Sequence, residues 1–299
     1  MKKRVLALGF FDGVHLGHAA LIRRTRERAE ALGAVPAVLT FDVHPDTLVR
    51  GAPVPLITSP EDRADLIRRL FGVEEILSLR FDEHLMHMPW DRFLAWVQEE
   101  FSAACLVCGH DFTFGWKGEG SPERLREGCA ALGMLSDVIP KVTVDGETVS
   151  STRIRALLLE GKLAEANRLL GHPHALTDTV RTGYRLGRKL GTPTVNMRFG
   201  EGVLVPAHGV YAGRLRIEGE SVDRWAVTNI GVRPTVSDSD QVSVESYILD
   251  YEGNLYGRRV RLELLDFLRP ERKFADTEAL KAQIARDAAA VRERMEREA

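Results

Sequence analysis

The residues best suited to chemistry lie near the start of the chain, in the stretch Gly9-Phe-Phe-Asp-Gly-Val-His-Leu-Gly-His18. An apolar run over residues 4–9 leads into it, and a helical pattern over residues 17–32 follows. In an open parallel sheet, ligands bind where a strand turns into a helix. A helix N-terminus there offers free N–H groups and a positive partial charge, both of which suit phosphate. The stretch is therefore a candidate phosphate site.

Two histidines three residues apart, His15 and His18, add hydrogen-bond donors to this turn, and Gly17 lets the backbone come close to a ligand. Such donors can stabilise the negative charge that develops when the α-phosphate of a nucleotide is attacked. The alternative is that both histidines are polar loop residues without a role. The H-x-G-H spacing at a strand–helix turn favours the catalytic interpretation.

A second candidate is Val149-Ser-Ser-Thr-Arg-Ile-Arg155, which places hydroxyl groups and two arginines at the start of a later helix. Arginine grips phosphate with two parallel hydrogen bonds, so Arg153 and Arg155 favour a polyphosphate site. The alternative is an ordinary helix cap, because Ser and Thr are common there. The H-x-G-H element in the same half of the chain favours phosphate binding.

A third candidate lies in the second half, at Gly187-Arg-Lys-Leu-Gly191-Thr-Pro-Thr194-Val-Asn196. On a strand, Thr194 and Asn196 point the same way, and both carry hard oxygen ligands suited to Mg²⁺ bound with phosphates. The alternative is a plain strand with Pro193 at its start. The segment is not a Walker A loop, so the motif alone does not predict a kinase.

Strand-like and helix-like patterns alternate in the first half of the chain, which predicts an α/β fold: a doubly wound parallel sheet with helices on both faces. The expected strands cover residues 4–9, 35–41, 75–79, 105–109 and 134–139. The expected helices cover residues 17–32, 59–72, 90–101, 122–132, 151–159 and 164–170.

After Gly171 the pattern changes to short strands separated by turn residues, which predicts a six-stranded antiparallel β-barrel. The expected strands cover residues 177–182, 194–199, 210–217, 225–230, 242–249 and 260–267. Apolar residues on one face of residues 277–295 predict a closing helix. We therefore expect two domains, residues 1–171 and 172–299.

The composition bounds the class of protein. The chain has 299 residues and a formal net charge of −2, so no global basic field is available to hold nucleic acid or an anionic membrane. No apolar run approaches the ~20 residues of a membrane span. The apolar stretch after the basic start is broken by Gly9 and is shorter than a signal-peptide core. We expect a cytoplasmic protein that binds phosphate locally.

Three cysteines, Cys105, Cys108 and Cys129, are too few and odd in number for a disulfide framework. Cys105 and Cys108 form a C-x-x-C motif, but on a strand positions i and i+3 point to opposite faces. The two sulfur atoms are therefore not expected to share a metal. Small buried apolar residues are the favoured interpretation over a redox or zinc site.

The first two candidates together resemble the nucleotidyltransferase module of the bacterial bifunctional riboflavin kinase/FAD synthetase family. Gly109-His-Asp-Phe-Thr-Phe-Gly115 is similar to that family's central block. The resemblance implies that His15 and His18 contact ATP phosphates and that Asp111 lies near the nucleotide and flavin.

The resemblance further implies that Ser151, Thr152 and Arg153 close over the triphosphate, with Arg153 in a catalytic role. The remaining nucleotide-binding residues that it implies in this domain are Gly9, Phe10, Asp12 and Gly17.

The second half resembles the riboflavin kinase module of the same family over nearly all of residues 176–275. The similar segments occur in the family's order: residues 187–196, 229–235, 244–250, 254–257 and 268–274. The resemblance implies that Thr194 and Asn196 hold Mg²⁺ and that Glu245 is the general base for the ribityl hydroxyl. It places the cofactor-binding loop at Gly187, Lys189, Gly191 and Pro193.

The expected activity is thus bifunctional: riboflavin is phosphorylated with ATP to FMN, and FMN is adenylylated with ATP to FAD and pyrophosphate. Family positions differ here at Val43 and at Ser246-Tyr247. One rival is a nucleotidyltransferase for another phosphorylated metabolite, with the barrel as an accessory; the intact kinase segments argue against it. Another is a non-enzymatic flavin or nucleotide binder, which would not need His18, Asn196 or Glu245.

Overall fold

The computed structural model describes residues 2–182, 193–232 and 242–298. Contacts along the chain divide it into two units. The first comprises Met1–Leu56 and Pro60–Ser151, and the second comprises Ile57–Ser59 and Thr152–Ala299. Among the described residues, no helix is both long enough and apolar enough to pass through a membrane.

A five-stranded parallel sheet forms the centre of the first unit. Its strands are β1 (Arg4–Leu8), β2 (Val35–Phe41), β3 (Glu75–Leu79), β4 (Ala103–Gly109) and β5 (Leu135–Ile139), in the order β3-β2-β1-β4-β5. A short hairpin, β6 (Thr143–Val144) and β7 (Glu147–Thr148), follows. The chain runs outward from β1 to β3 and then crosses to β4, so the order reverses between β1 and β4. Ligands bind at such a reversal, beyond the carboxyl ends of the strands.

Helices cover both faces of this sheet, as the doubly wound prediction requires. The helices of this unit are α1 (Leu16–Leu32), α2 (Pro45–Arg50), α3 (Pro60–Phe71), α4 (Glu83–Met86), α5 (Trp90–Phe101) and α6 (Pro122–Ala131). Buried residues of α1 and α3 pack on one face of the sheet, and those of α5 and α6 pack on the other. The central strands are buried on both sides, which explains why β1 and β4 are continuous apolar runs.

The cysteines confirm the two-sided core. Cys105 and Cys108 belong to different apolar clusters on the two faces of the sheet, as strand alternation predicts. Burial raises the pKa of Cys105 to about 11 and the pKa values of Cys108 and Cys129 to about 12. All three are therefore neutral thiols that fill space in the core.

The second unit contains a six-stranded antiparallel half-barrel. Its strands are β8 (His174–Thr179), β9 (Thr194–Met197), β10 (Gly209–Ile217), β11 (Asp223–Val232), β12 (Val242–Ile248) and β13 (Arg259–Pro270), in the order β8-β13-β10-β11-β12-β9. A bridge between Arg181 and Asn196, where the Arg181 N–H donates to the Asn196 carbonyl at 2.9 Å, brings the two edges together. Helix α9 (Thr277–Glu298) packs Ala288 and Val291 against this sheet, which confirms the closing helix.

Two helices that lie between β7 and β8 in the sequence, α7 (Ser151–Leu159) and α8 (Leu163–Leu170), belong to the second unit apart from Ser151. The Asn167 amide donates to the Leu264 carbonyl at 2.9 Å and accepts from the His174 N–H at 2.7 Å. The Ala207 N–H donates to the Leu158 carbonyl at 2.9 Å. The division by contacts therefore falls before both helices, whereas the change in sequence pattern falls after them, at Gly171.

His174 gives the second unit a pH-dependent stability. Its ring is 1% exposed, and neither ring nitrogen has a hydrogen-bond partner among the described residues. Burial, with His172 nearby, lowers the pKa of His174 to about 4. The unfolded chain, with a histidine pKa near 6.5, therefore binds more protons than the folded chain between pH 6.5 and 4.

Above pH 6.5, proton uptake by His174 should not affect the free energy of unfolding. As the pH drops to 4, the unfolded chain takes up a proton that the folded chain does not, and the free energy of unfolding should fall by about 3 kcal/mol at most. Urea unfolding of His174→Gln at pH 7.5 and 5 should show a smaller pH dependence than wild type. The exposed His208 provides the control, His208→Gln, which should retain the wild-type dependence. Equal pH dependence in all three proteins would contradict the assignment.

Candidate active sites

The turn after β1 holds the backbone in an unusual conformation. Phe11 has a φ of 60°, Gly13 one of 77° and Val14 one of 45°. A positive φ is rare for a β-branched residue such as Val14, and such strain persists only where neighbouring contacts fix the backbone. Gly9 leaves little spare room, since an added Cβ would lie 3.2 Å from the Phe11 ring.

His15 caps α1. Its Nδ1 accepts a hydrogen bond from the His18 N–H at 3.3 Å, so in the neutral ring the proton is on Nε2. The His15 and His18 rings stack at 3.6 Å, 12° from parallel. Nδ1 of His18 is buried and makes no hydrogen bond within the described residues. The pair thus presents fixed imidazoles at a helix N-terminus, where a bound anion is favoured.

His18 is a neutral imidazole at physiological pH. Burial, followed by the neighbouring His15 and Arg63, lowers the pKa of His18 well below its usual value. A neutral imidazole has one N–H donor, and its protonation state stays the same near neutral pH.

Gly17 has a local role that the sequence did not indicate. A Cβ at this position would lie 3.0 Å from Cε1 and 3.1 Å from Nδ1 of His15. The space beside Gly17 is therefore occupied by the capping imidazole.

Two of the predicted nucleotide contacts lie beside this turn. The Ser151 hydroxyl donates to the carbonyl of the buried Asp12 at 3.0 Å. Asp111 follows β4, the neighbour of β1, and its side chain is 82% exposed. The structure therefore brings the end of β1, the loop after β4 and the start of α7 to one edge of the sheet.

The other two predicted residues of the triphosphate segment, Thr152 and Arg153, lie in the first turn of α7. Arg153 lies 3.8 Å from Glu165 of α8, in a half-exposed ion pair. The contact-based division assigns both residues to the second unit.

Sequence reasoning missed three residues that support the turn. The ring of the predicted Phe10 contacts that of His44 edge-on at 4.6 Å, and its carbonyl accepts from Thr40 at 3.0 Å and from Arg63 at 2.8 Å. A signal for Arg63 was present: it lies four residues before Ile67, on the apolar face of α3.

The candidate kinase residues meet on neighbouring strands. Asn196 lies opposite Glu245, which in turn lies opposite Asn229, and Thr194 lies opposite Tyr247. Residues directly opposite one another share a face of the sheet. Val244 and Ser246 are buried in the barrel, so Glu245 is on the other face, with Thr194 and Asn196.

Asn229 extends this row through its pairing with Glu245. Its side-chain amide donates a hydrogen bond to the Glu271 carboxylate at 3.1 Å. Pro193 directly precedes β9. The predicted residues Gly187, Lys189 and Gly191 lie outside the described residues.

Comparison with known proteins agrees with both halves. Residues 1–153 match the FAD synthetase family and residues 170–295 match the riboflavin kinase family. The chain is 37% identical to the bifunctional riboflavin kinase/FMN adenylyltransferase of Listeria monocytogenes, over 95% of this chain and 90% of that protein. It is 34% identical to the Escherichia coli K12 enzyme of the same name, over 97% and 92%.

A solved structure has the same fold. The crystal structure of a protein from Streptococcus pneumoniae, described as a macrolide-efflux protein, matches with a TM-score of 0.86 at 29% identity. The match covers 97% of this chain and 94% of that one. These findings confirm the resemblance of both halves, and the chain belongs to the bifunctional riboflavin kinase/FMN adenylyltransferase family, which converts riboflavin to FMN and FMN to FAD.

Proposed function

We propose that adenylyl transfer takes place at the turn after β1, with His15 and His18 as the catalytic donors. An oxygen of the FMN phosphate attacks the α-phosphorus of ATP, the bond to the β-phosphate breaks, and pyrophosphate leaves. Negative charge grows on the α-phosphate oxygens, where preorganised donors give most stabilisation. The observation that supports this assignment is the stacked pair of His15, which caps α1, and His18 in its first turn.

The other residues of this site bind the substrates. Ser151, Thr152 and Arg153 bind the triphosphate, and Arg153 offers a planar donor fork to phosphate. Gly9, Phe10, Asp12, Gly17 and Asp111 shape the nucleotide and flavin side of the site.

In the kinase reaction, Glu245 is the general base. It accepts the proton of the terminal ribityl hydroxyl as that oxygen attacks the γ-phosphorus of ATP, and ADP leaves. A carboxylate that orients the attacking alcohol is the usual requirement of such a transfer. The support is the position of Glu245 opposite Asn196, on the face shared with Thr194.

Thr194 and Asn196 fit a magnesium ion, because a hydroxyl and an amide oxygen are hard ligands on one face of a strand. When bound, Mg²⁺ neutralises charge on the transferring phosphates. Gly187, Lys189, Gly191 and Pro193 complete the ATP loop in this proposal. Both reactions are proposed to take place in the cytoplasm on small molecules. A net charge of −2 supplies no basic field for nucleic acid or an anionic membrane.

The direct test is to incubate the purified protein with riboflavin, ATP and Mg²⁺ and to separate riboflavin, FMN and FAD over time. FMN should appear first and FAD later, and FMN with ATP should give FAD without riboflavin. Chelation of Mg²⁺ should stop both steps. Turnover at the wild-type rate in excess chelator would contradict the metal assignment.

Gly17→Ala should slow FAD formation about tenfold, because the new Cβ displaces the His15 ring from its cap and stack. The higher helix propensity of alanine offsets the loss of the His15 cap, so the melting temperature should change little. The control is Gly200→Ala, where the added Cβ meets its nearest neighbour at 3.5 Å, an ordinary contact. A Gly17→Ala enzyme with the wild-type rate would show that the His15 position is not critical.

We propose that the two activities can be separated at a boundary near Gly171. A fragment from His172 onward contains every kinase residue and should make FMN but no FAD. A fragment from Thr152 onward also keeps α7, α8 and the Asn167 hydrogen bonds to the barrel, and should therefore melt at a higher temperature. A folded longer fragment without kinase activity would show that the first unit contributes to the kinase site.

A further inference from the structure

Arg63 is a charged residue in the core of the first unit. Its side chain is 2% exposed, on the same face of α3 as the buried Leu66 and Ile67. A buried charge is unfavourable unless its hydrogen bonds are satisfied, so packing alone does not explain an arginine here.

The Arg63 guanidinium bridges the ends of two parallel strands. Nη1 donates to the Phe10 carbonyl and Nη2 donates to the Phe41 carbonyl, both at 2.8 Å. Its Cζ lies 4.2 Å from the centre of the Phe10 ring. A planar guanidinium donates to two separate acceptors from two different nitrogen atoms, whereas a lysine has its donors on one nitrogen.

The position of this bridge matters because Phe10 directly precedes the strained turn. Phe11 and Val14 have positive φ angles, and His15, which caps α1, follows at once. Fixing the Phe10 carbonyl therefore fixes the point from which the histidine-bearing turn starts. Strained functional turns depend on such external contacts.

Arg63 also shapes the charge around the histidines. Burial lowers the pKa of Arg63 to about 10, against the opposing effect of Asp12 and Asp42, so it stays charged at neutral pH. Burial lowers the pKa of His18 most, and the charges of His15 and then Arg63 lower it further.

We propose that Arg63 is a positioning residue for adenylyl transfer: by bridging the Phe10 and Phe41 carbonyls it holds the turn that carries His15 and His18 in its reactive arrangement. This inference rests on the proposed role of the two histidines. Arg63 acts on the reaction indirectly, through the backbone that carries the histidines. Its loss is therefore expected to affect the rate of transfer more than the binding of ATP.

The test uses the full-length enzyme and compares Arg63→Met, Arg63→Lys and the control Arg68→Met, which alters a half-exposed arginine on the same helix. For each, kcat and KM for ATP are measured for FMN to FAD conversion from pH 5 to 9. FMN formation in the same protein and thermal unfolding are recorded alongside. A His18→Ala/Arg63→Met double variant completes a cycle with the single variants.

We expect Arg63→Met to lower kcat for FAD formation about 10- to 100-fold, with KM for ATP changed less than about threefold. The acidic limb of its rate profile should move to higher pH, because one of the positive charges that lower the pKa of His18, in addition to burial, is gone. Arg63→Lys keeps the positive charge but has its donors on one nitrogen, so it should hold the two carbonyls less firmly. Its acidic limb should therefore stay in place and its kcat should be intermediate. Arg68→Met should behave as wild type.

Arg63→Met should lower kcat by a smaller factor in the His18→Ala background than in the wild-type background, where both histidines depend on the turn. Equal losses in both backgrounds would overturn the proposal, as would a folded Arg63→Met with kcat within about threefold of wild type. If Arg63→Met does not fold, Arg63→Lys decides, and a wild-type kcat in that variant overturns the proposal. A harmless His18→Ala would instead remove the histidine role itself, which the single Arg63 variants do not test.

Discussion

Replacing Glu245 by Gln should nearly abolish the conversion of riboflavin to FMN. The amide keeps the shape of the side chain but cannot accept the proton of the ribityl hydroxyl. Loss of a general base costs on the order of 10² to 10⁴ in rate. The strand pairing of residue 245 with Asn196 and Asn229 should stay intact, because the substitution does not alter the backbone.

The internal control is the second reaction of the same protein, since FMN to FAD conversion should continue at the wild-type rate. The exposed carboxylate Glu252, in the loop after β12, offers a matched variant: Glu252→Gln should leave both rates unchanged. FMN formation by Glu245→Gln at the wild-type rate would remove Glu245 as the base. A loss of both activities together would indicate a folding defect instead.

Much of the fold follows from apolar periodicity. The strands at residues 35–41 and 75–79 and the helix at residues 90–101 have the predicted bounds. Two short helices, Pro45–Arg50 and Glu83–Met86, escaped prediction. Each depends on one capping side chain rather than on an apolar stripe: His44 accepts from Asp46, and Asp82 accepts from Leu85.

Motifs predicted the candidate site residues, but they did not predict the residues that hold them in place. Spacing placed His15 and His18 on the turn, but only three-dimensional packing reveals that the His15 ring occupies the space beside Gly17. Arg63 lies 53 residues from the carbonyl that it fixes, a separation that local patterns do not resolve. Similarly, α8 contacts the barrel through Asn167, whose partner Leu264 lies 97 residues away.

The histidine pair gives the second large expected effect: His18→Ala should slow FAD formation from FMN and ATP about a hundredfold. The reacting α-phosphate loses one preorganised donor, a loss typically worth ~3 kcal/mol. The His15 cap should survive, because the donor to His15 Nδ1 is the backbone N–H of residue 18, which alanine retains. The loss is therefore expected in kcat rather than in the melting temperature.

The pH dependence separates this role from a simple charge effect. Since the pKa of His18 is well below its usual value, wild-type FAD formation should not fall through protonation of His18 between pH 6 and 8. The variant should therefore be slower by the same factor across that range. His84, exposed on α4, provides the control His84→Ala, and riboflavin kinase activity measures the amount of folded enzyme. A change of less than about threefold in His18→Ala would place His18 outside the reaction, since a lost donor costs far more.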